Sequence, residues 1–389
     1  MFNRMLSIPL TNRKTFFLFG PRGTGKTTLL KNLFPNAMFV NLLKSEYYNR
    51  LSSDPGLIQK MIPPQYNDWI IIDEIQRIPE LLNEVHDLIE SKKHMFILTG
   101  SSARKLRRKG VNLLAGRALT YNFHPLTAIE QKKTFNVIES LRLGHLPARF
   151  NEHHPQKYLK DYVQTYIREE VLQEGLTRNI GHFSRFLEIA SFSQGNVVNV
   201  SEIAREASIK RSLTENYFSI LEDLLIGVHL PVFTRKAKRK LIGHQKFYYF
   251  DVGVFRAIRP TGPLDSDAEI DGPALETLVL QEIRAINDYL ETEYKLYFWR
   301  TKNGLEIDFV LYGPNGLIAI EVKRSRHVHS KNLRGLKEFK KDYPPARCYL
   351  FYSGSDILYI DHMTVLPIDQ ALQHLDKILM NEDIRFSRD

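Results

Sequence analysis

The chain has 389 residues, 43% of them hydrophobic, so it can bury the cores of two or three domains. Its 54 Lys and Arg against 44 Asp and Glu give a formal net charge of +10, which favours a polyanionic partner such as nucleic acid. A single cysteine, Cys348, excludes a disulfide framework and a cysteine-based zinc site. Because the sequence shows neither a membrane-spanning apolar run nor a signal-peptide core, we expect a cytoplasmic protein with no membrane partner.

The first predicted elements surround a glycine-rich loop. Phe16–Phe19 is an apolar run that predicts a buried strand, and Lys26–Leu33 predicts a helix. The loop between them fits the pattern G-x-x-x-x-G-K-S/T of a phosphate-binding P-loop, in which Lys26 reaches the β- and γ-phosphates and Thr27 holds Mg²⁺. Backbone N–H groups of such a loop also face the phosphates. The sequence therefore predicts a site for ATP and Mg²⁺ whose loop residues are Gly20, Pro21, Arg22, Gly23, Thr24, Gly25, Lys26, Thr27 and Thr28.

A second nucleotide motif lies in "DWIIIDEIQRIPE", where the apolar run 69–72 predicts a strand that ends in Asp73 and Glu74. Asp73 would orient the Mg²⁺, and Glu74 would polarise the attacking water. The next predicted strand, in "MFILTGSSA", brings Thr99 and Ser101 to the same edge as γ-phosphate sensors. The carboxylate pair favours hydrolysis, and the lack of a guanine-reading N/TKxD motif favours ATP over GTP.

Arg117, in "LLAGRAL", follows a predicted helix that contains the basic run 104–109. We consider it a candidate arginine finger that reaches a neighbouring subunit's nucleotide. That role implies a homo-oligomer, such as a hexameric ring. The alternative is a surface arginine or an internal salt bridge.

Residues 131–260 predict a helical region that ends in a winged helix. A helical segment is expected at about 157–175, and two short helices joined by the polar turn "SIKRS" follow within 199–230. The next segment alternates like a hairpin, with a basic tip at 235–240. Together these elements are typical of a winged helix.

The predicted winged helix allows two interpretations. Its second helix could enter the major groove of DNA while Lys210, Arg211 and the basic tip contact phosphates. A protein-binding winged helix or a plain three-helix core is the alternative. The acidic side chains of the second helix, Glu215, Glu222 and Asp223, weaken the case for groove binding.

The C-terminal part predicts an amphipathic helix at 273–286, with Glu276 near its start, and then three strands within 295–325. The tight turn at "PNG" pairs the second and third strands, so that Asp308 lies opposite Glu321 or Lys323. Carboxylates beside a lysine predict a Mg²⁺ site for phosphodiester hydrolysis, which Glu276 could complete. The alternative is a solvated sheet edge with outward charges, but the apolar neighbours argue for burial.

In combination, these motifs resemble the prokaryotic AAA-type ATPases that carry a C-terminal DUF4143 region. The quoted nucleotide motifs are similar to their ATPase part, while "YLKDYVQTYIREEV", "KFYYFDVGVFRA" and "WRTKNGLEIDFVLYGPNGLIAIEVK" are similar to DUF4143 itself. The resemblance implies an α/β protein with an AAA+-type P-loop ATPase domain at 1–130, a helical and winged-helix domain at 131–260 and an α/β PD-(D/E)XK nuclease-like domain at 261–389.

The resemblance also implies roles for individual residues. Lys26, Thr27, Asp73 and Glu74 would form the nucleotide site, with Arg117 as the finger. The PD-(D/E)XK positions would be filled by Glu276, Asp308, Glu321 and Lys323. The first motif is not a literal Pro-Asp, since Ile307 precedes Asp308.

Two functions follow as hypotheses. In the first, ATP hydrolysis powers work on duplex or branched DNA, and the C-terminal site either cleaves the DNA or only holds it. In the second, the protein is a slow, nucleotide-switched regulator or scaffold that binds a protein partner through the winged helix.

Overall fold

The computed structural model describes residues 2–8, 13–102, 114–173, 179–234, 245–263 and 265–382. The basic runs 104–109 and 235–240 lie outside the described residues, as does the predicted wing tip. The chain divides into two compact units, one of residues 4–125 with 223–225, and one of residues 1–3, 126–222 and 226–389. No helix within the described ranges is long and apolar enough to cross a membrane.

The first unit contains one parallel sheet, which is the core of the predicted ATPase domain. Its strands run in the order β2-β3-β4-β1-β5, so that β4 separates the P-loop strand β1 from β3. The strands are β1 Phe16–Phe19, β2 Met38–Asn41, β3 Trp69–Asp73, β4 Met95–Gly100 and β5 Leu119–Asn122. The helices are α1 Lys26–Leu33, α2 Ser45–Ser53, α3 Leu57–Met61 and α4 Leu81–Lys92. The strand and helix predicted on either side of the P-loop are confirmed.

The second unit begins with helices. They are α5 Ala128–Gln131, α6 Val137–Leu143, α7 Pro155–Asp161, α8 Arg168–Gln173, α9 Ile180–Ser191, α10 Val200–Glu206 and α11 Arg211–Asp223. The helical segment predicted at about 157–175 is α7 and α8 with a π-helical stretch, Tyr162–Ile167, between them. A π-helical turn contains one residue more than an α-helical turn and is often found at functional sites.

The two short helices predicted within 199–230 are α10 and α11. An antiparallel pair follows them, β6 Gly227–Pro231 and β7 Gln245–Tyr249. Aromatic side chains join the helices to this pair, because the ring of Phe218 on α11 contacts those of Phe186 on α9 and Phe247 on β7. This arrangement has the element order of a winged helix, and the winged-helix interpretation itself stays a prediction.

The C-terminal part contains a mixed six-stranded sheet in the order β12-β13-β11-β10-β9-β8. Its strands are β8 Lys295–Arg300, β9 Glu306–Gly313, β10 Gly316–Lys323, β11 Arg347–Tyr352, β12 Leu358–Ile360 and β13 Met363–Pro367. The helices here are α12 Val252–Ile258, α13 Asp267–Tyr289, α14 Arg334–Asp342, α15 Ile368–Gln373 and α16 Leu375–Met380. The three predicted strands are β8, β9 and β10, and the predicted helix at 273–286 is the central part of α13, which packs on β10.

Candidate functional site

The P-loop has the backbone that its glycines predict. A Cβ atom on Gly20 would lie 2.2 Å from the carbonyl oxygen of Phe123, so only glycine fits where the chain leaves β1. Gly23 and Gly25 have φ angles of 81° and 91°, in the left-handed region that glycine adopts at little cost. The loop therefore turns sharply before the chain enters α1.

Side chains of the loop reinforce this turn. Thr24 is buried and its Oγ1 donates to the carbonyl of Pro21 at 2.8 Å. Lys26 Nζ donates to the carbonyl oxygens of Gly20 at 2.7 Å and of Pro21 at 3.2 Å. Of the remaining predicted loop residues, Arg22 is half-buried and Thr28 is exposed.

Thr27 and Asp73 come together as the nucleotide motifs predict. Thr27 Oγ1 donates to Asp73 Oδ2 at 3.0 Å, and Asp73 Oδ1 accepts a hydrogen bond from Thr99 Oγ1. A hydroxyl and a carboxylate oxygen at this separation suit the oxygen-only ligand set of Mg²⁺. The P-loop residues therefore fit ATP and Mg²⁺.

Glu74 is held by a residue that sequence reasoning missed. The buried Gln76 side chain donates through Nε2 to Glu74 Oε2 at 2.5 Å and to Ser101 Oγ at 3.0 Å. Glu74 itself has a left-handed backbone, with φ at 63°, which turns its side chain out of the strand direction. Gln76 thus joins the predicted water-polarising carboxylate to the predicted sensor Ser101, and its position two residues after Glu74 was the only signal.

A second residue missed from the sequence is Arg4. Its guanidinium donates to the carbonyl oxygens of Thr24 at 2.9 Å and His124 at 2.7 Å, and lies 3.9 Å from the ring centre of Phe123. The N-terminal segment therefore fixes the P-loop from outside the motif. Nothing in the spacing of the motif indicates this contact.

Arg117 lies at the surface, 40% exposed, with its Nε hydrogen-bonded to Glu90 of α4. The hydrogen bond and the charge of the guanidinium lower the pKa of the Glu90 carboxyl. This is the internal salt bridge left open as an alternative. An exposed pair of this kind contributes little to stability, so it leaves Arg117 available for a finger role.

A second cluster of charged side chains forms on the C-terminal sheet. The register of β9 and β10 pairs Phe309 with Ile320, and continuing it sets Asp308 opposite Glu321 as predicted. Both carboxylates are buried, and Asp308 Oδ2 accepts a hydrogen bond from the backbone N–H of Val322 at 2.9 Å. The alternative, a solvated sheet edge with outward charges, is thus excluded for this pair.

Two lysines lie between the carboxylates of this cluster. Lys323 Nζ lies 2.5 Å from Glu321 Oε1 and 3.9 Å from Asp308 Oδ2. On the other side of Asp308, Lys246 Nζ lies 3.7 Å from its Oδ1 and 3.8 Å from Glu276 Oε2. Lys246 also contacts Glu306 Oε1 at 2.5 Å. The predicted quartet is therefore assembled, with Lys246 and Glu306 as additional members.

Tyr248 is a third residue of the cluster that sequence reasoning missed, after Lys246 and Glu306. Its hydroxyl donates to Glu276 Oε2 at 2.8 Å. Like Lys246 it projects from β7, two residues further along, so both side chains lie on one face of that strand. A lysine inside the apolar run "QKFYYF" is the sequence signal, because a buried charge needs partners.

Burial and mutual repulsion shape the ionisation of the carboxylates. Burial, with the charge of Asp308 second, raises the pKa of Glu276 to about 7 and that of Glu321 to about 8. Burial alone would lower the pKa of Lys246, but the surrounding carboxylates outweigh it and raise that pKa. The same balance raises the pKa of Lys323. Both lysines are thus held as ammonium ions at neutral pH.

The cluster has the chemistry of a Mg²⁺ site but not its arrangement. Carboxylate oxygens are the ligands that Mg²⁺ prefers, and Glu321 Oε2 is buried without a hydrogen-bond partner among the described residues. An ammonium group, however, stands in each of the two gaps between neighbouring acids. Within the described part of the chain, no group of three or more His, Cys, Asp or Glu side chains is arranged to hold a metal ion. The Mg²⁺ predicted from Glu276, Asp308 and Glu321 does not fit this arrangement.

The surface charges of the second unit bear on the predicted DNA contacts. Lys210 and Arg211 are exposed, and Arg211 Nε lies 3.0 Å from Glu215. Glu222 contacts His229 of β6 at 3.0 Å. Two of the acids that weakened the case for groove binding thus have partners within the same unit.

Comparisons with known proteins divide the chain into three parts. The family model of an AAA domain matches residues 12–131, and that of DUF4143, a domain of unknown function, matches residues 271–371. Between them, the model of a further domain of unknown function, DUF8612, matches residues 136–265. An uncharacterized protein of Haemophilus influenzae is 23% identical over 380 residues, which is 88% of this chain and 92% of that protein.

Two solved structures show weak similarity. The Aeropyrum pernix ORC1 protein in complex with DNA has 13% identity and a TM-score of 0.29, covering 63% of this chain and 86% of its own. Protein VC1899 from Vibrio cholerae has 12% identity and a TM-score of 0.22, covering 94% and 97%. Such low TM-scores support no structural argument.

The two family matches at the ends of the chain agree with the resemblance inferred from its motifs. Of the three segments compared with DUF4143, only "WRTKNGLEIDFVLYGPNGLIAIEVK" lies within its match, whereas "YLKDYVQTYIREEV" and "KFYYFDVGVFRA" lie within the DUF8612 match. The chain thus contains an AAA domain and a C-terminal DUF4143 domain.

Proposed function

We propose that the protein hydrolyses ATP and couples the turnover to work on DNA. The contact that carries the ATPase half is the chain of hydrogen bonds from Thr27 through Asp73 to Thr99, with Glu74 held beside it. Bound ATP and Mg²⁺ supply the reacting phosphoryl group and neutralise part of its charge. The AAA domain match supports this assignment.

The chain's own residues would then have separate tasks. Lys26 exchanges its loop carbonyl partners for the phosphates, and the loop N–H groups bind the same oxygens. Glu74 accepts a hydrogen bond from the attacking water and orients it, since Gln76 fixes one of its oxygens and leaves the other available. Arg117 would act on the nucleotide of a neighbouring subunit in a homo-oligomeric ring.

The DNA half of the proposal is supported by charge. The net charge is +10, and Arg326, Lys331 and Arg334 are exposed without an ion-pair partner in the described part of the chain. The order of α10, α11, β6 and β7 is that of a winged helix, which commonly binds DNA. Of the two versions of the hypothesis, we favour the one in which the C-terminal domain holds DNA, because Lys246 and Lys323 already balance its carboxylates.

The first experiment measures ATP turnover of the purified protein with and without duplex, single-stranded and four-way-junction DNA. We expect one form to stimulate turnover, and the form that does so identifies the substrate. The DNA lengths are read afterwards, with Asp308→Ala as the control. DNA shortened by wild type and left intact by that variant would establish cleavage and contradict the holding version.

A salt titration of DNA binding tests the contact surface. Each phosphate contact contributes about −0.9 to the slope of log K against log salt. We expect Arg326→Ala, Lys331→Ala and Arg334→Ala together to flatten this slope. The matched control is Lys337→Ala with Lys341→Ala, because these lysines pair with Asp361 at 2.7 Å and Glu338 at 3.3 Å. An unchanged slope in the first variant would remove this surface from the DNA contacts.

Mixing two inactive variants tests the finger. Arg117→Ala retains the P-loop, and Lys26→Ala retains the finger, so a mixed oligomer contains some sites with both groups intact. We expect the mixture to recover turnover that neither variant has alone. If Arg117→Ala alone keeps full turnover, Arg117 is only the partner of Glu90.

One observation favours the second candidate, a nucleotide-switched regulator. Apart from Arg211 at its first position, which pairs with Glu215, the exposed face of α11 is polar and acidic, with Ser212, Glu215, Ser219 and Glu222 on it. A face of this kind suits a protein partner better than a phosphate backbone. ATP turnover that no DNA changes, together with DNA binding too weak to measure, would favour the regulator.

A further inference from the structure

We propose that Lys246 takes the place of a divalent cation between Glu276 and Asp308, so that these carboxylates bind no metal ion in the wild-type protein. The inference rests on the proposed function, in which the C-terminal domain holds DNA. It concerns only which cation balances the carboxylates of that domain. Its ground is the position of one ammonium group, 3.8 Å from Glu276 Oε2 and 3.7 Å from Asp308 Oδ1.

The position matters because it is the one a metal would need. A Mg²⁺ ion that bound both carboxylates would lie between them, at about 2.1 Å from each oxygen. Lys246 Nζ occupies that gap and also contacts Glu306 Oε1 at 2.5 Å. Two cations within a few ångströms of each other in a buried site repel strongly. The ammonium and the metal therefore exclude each other.

Lys246 is also fixed in place. Its side chain is only 3% exposed, so the ammonium has no short way out to solvent. The strand that carries it is held on both sides. It pairs with β6 on one side, and on the other Phe247 N donates to Asn196 O at 3.2 Å and Val198 N donates to Gln245 O at 2.9 Å. The ammonium further lies 5.6 Å from the ring centre of Phe298. A metal could enter only if this part of β7 moved.

The gap between Asp308 and Glu321 is filled by a more exposed side chain than that of Lys246. Lys323 bridges Asp308 and Glu321 but is 34% exposed, so it can swing into solvent. Lys246 is thus the cation that decides whether Glu276 and Asp308 can bind a metal together. Removing its charge leaves these buried carboxylates uncompensated, and a divalent ion is then the simplest compensation.

The test counts Mn²⁺ ions bound to the full chain by electron paramagnetic resonance, without nucleotide and without DNA. We expect wild type and Asp308→Asn to bind the same amount, because no metal uses Asp308. Lys246→Met should gain a Mn²⁺ ion that is lost again in the double variant with Asp308→Asn. Lys340→Met is the matched control, since Lys340 donates to the carbonyl of Ala346 at 2.6 Å and should gain nothing.

Two outcomes would overturn the inference. One is a Mn²⁺ ion bound to wild type and lost in Asp308→Asn, which needs no Lys246 variant and holds even if that variant fails to fold. The other is a folded Lys246→Met chain, judged by circular dichroism, that gains no Mn²⁺. Neither outcome depends on ATP turnover or DNA, so the proposed ATPase would stand.

Discussion

The nucleotide site and the carboxylate site both contain a buried lysine, but the oxygens around the two lysines differ. Lys26 donates to carbonyl oxygens of its own loop, the loop that would wrap the phosphates. Lys246 lies among carboxylates from α13 and β9. Neutral carbonyls release an ammonium group easily when phosphates arrive, whereas carboxylates left behind in a buried site would keep uncompensated charge.

This difference indicates what each site is for. Lys26 can exchange its carbonyl partners at low cost in free energy, so its site is suited to a ligand that binds and dissociates in every turnover. The Lys246 cluster already contains its cations, so its site is suited to a lasting arrangement of charge. The following experiments test that contrast, beginning with the largest expected effect.

Lys26→Ala should abolish the nucleotide site's function. The variant removes the ammonium that would contact the β- and γ-phosphates in the proposed function, and we expect turnover to fall by about 10²–10³-fold or more. Steady-state ATP hydrolysis and nucleotide binding measure it. Lys31→Ala, an exposed lysine of the same helix, is the control. Full activity of Lys26→Ala would contradict the P-loop assignment, and the comparison of Lys26 with Lys246 would then have no basis.

Asp308→Ala should destabilise the second unit. The carboxylate lies between Lys246 and Lys323, and removing one partner of a buried ion pair typically costs about 3–5 kcal/mol. Urea unfolding measures the loss. Asp361→Asn is the control, because the Asp361 pair with Lys337 is exposed and asparagine tolerates its left-handed backbone. Equal stability of Asp308→Ala and wild type would show that the cluster is not a structural arrangement of charge.

The buried carboxyl group of Glu321 should also make the stability of the protein depend on pH. Burial raises the pKa of Glu321 to about 8, whereas the unfolded chain has the ordinary value near 4.5. Between these values the unfolded state loses a proton that the folded state keeps, so the free energy of unfolding falls as pH rises from about 5 to about 8. The contribution is full below the lower value and on the order of a few kcal/mol.

Glu321→Gln should flatten that decline, because glutamine does not titrate. The measurement is urea unfolding at several pH values, with EDTA present so that no metal enters. Glu338→Gln is the control. Glu338 lies half-exposed on α14 and pairs with Lys341 three residues further along, so this variant should leave the profile unchanged. A decline as steep in Glu321→Gln as in wild type would place the titrating group elsewhere.

The sequence predicted which residues of the P-loop region come together more completely than it did for the carboxylate cluster, for a physical reason. A P-loop is local, since one strand, one loop and one helix fix Lys26 and Thr27, and parallel strands bring Asp73 to the same edge. The pairing of Asp308 with Glu321 is also local, because a tight turn sets the register. Lys246 enters from a different hairpin, so only the tertiary fold brings it to Asp308.

The smallest expected effect concerns Gln76, which positions Glu74 without contacting the nucleotide phosphates in our proposal. Gln76→Leu keeps the volume of the buried side chain but loses its hydrogen bonds to Glu74 Oε2 at 2.5 Å and Ser101 Oγ at 3.0 Å. We expect turnover to fall about tenfold, the equivalent of ~1.4 kcal/mol of lost orientation, while ATP affinity stays the same.

Steady-state kinetics separate the two quantities, and Gln59→Leu is the control because its amide makes only an exposed contact with Asp87 at 3.4 Å. A loss of affinity without loss of turnover would mean that Gln76 shapes the binding pocket and not the carboxylate. Unchanged kinetics would mean that Glu74 is held by the backbone turn alone, whose φ of 63° already directs it. In that case residues close together in the sequence would be enough to position Glu74. The contrast with the carboxylate site, which needs Lys246 from a distant strand, would then be larger.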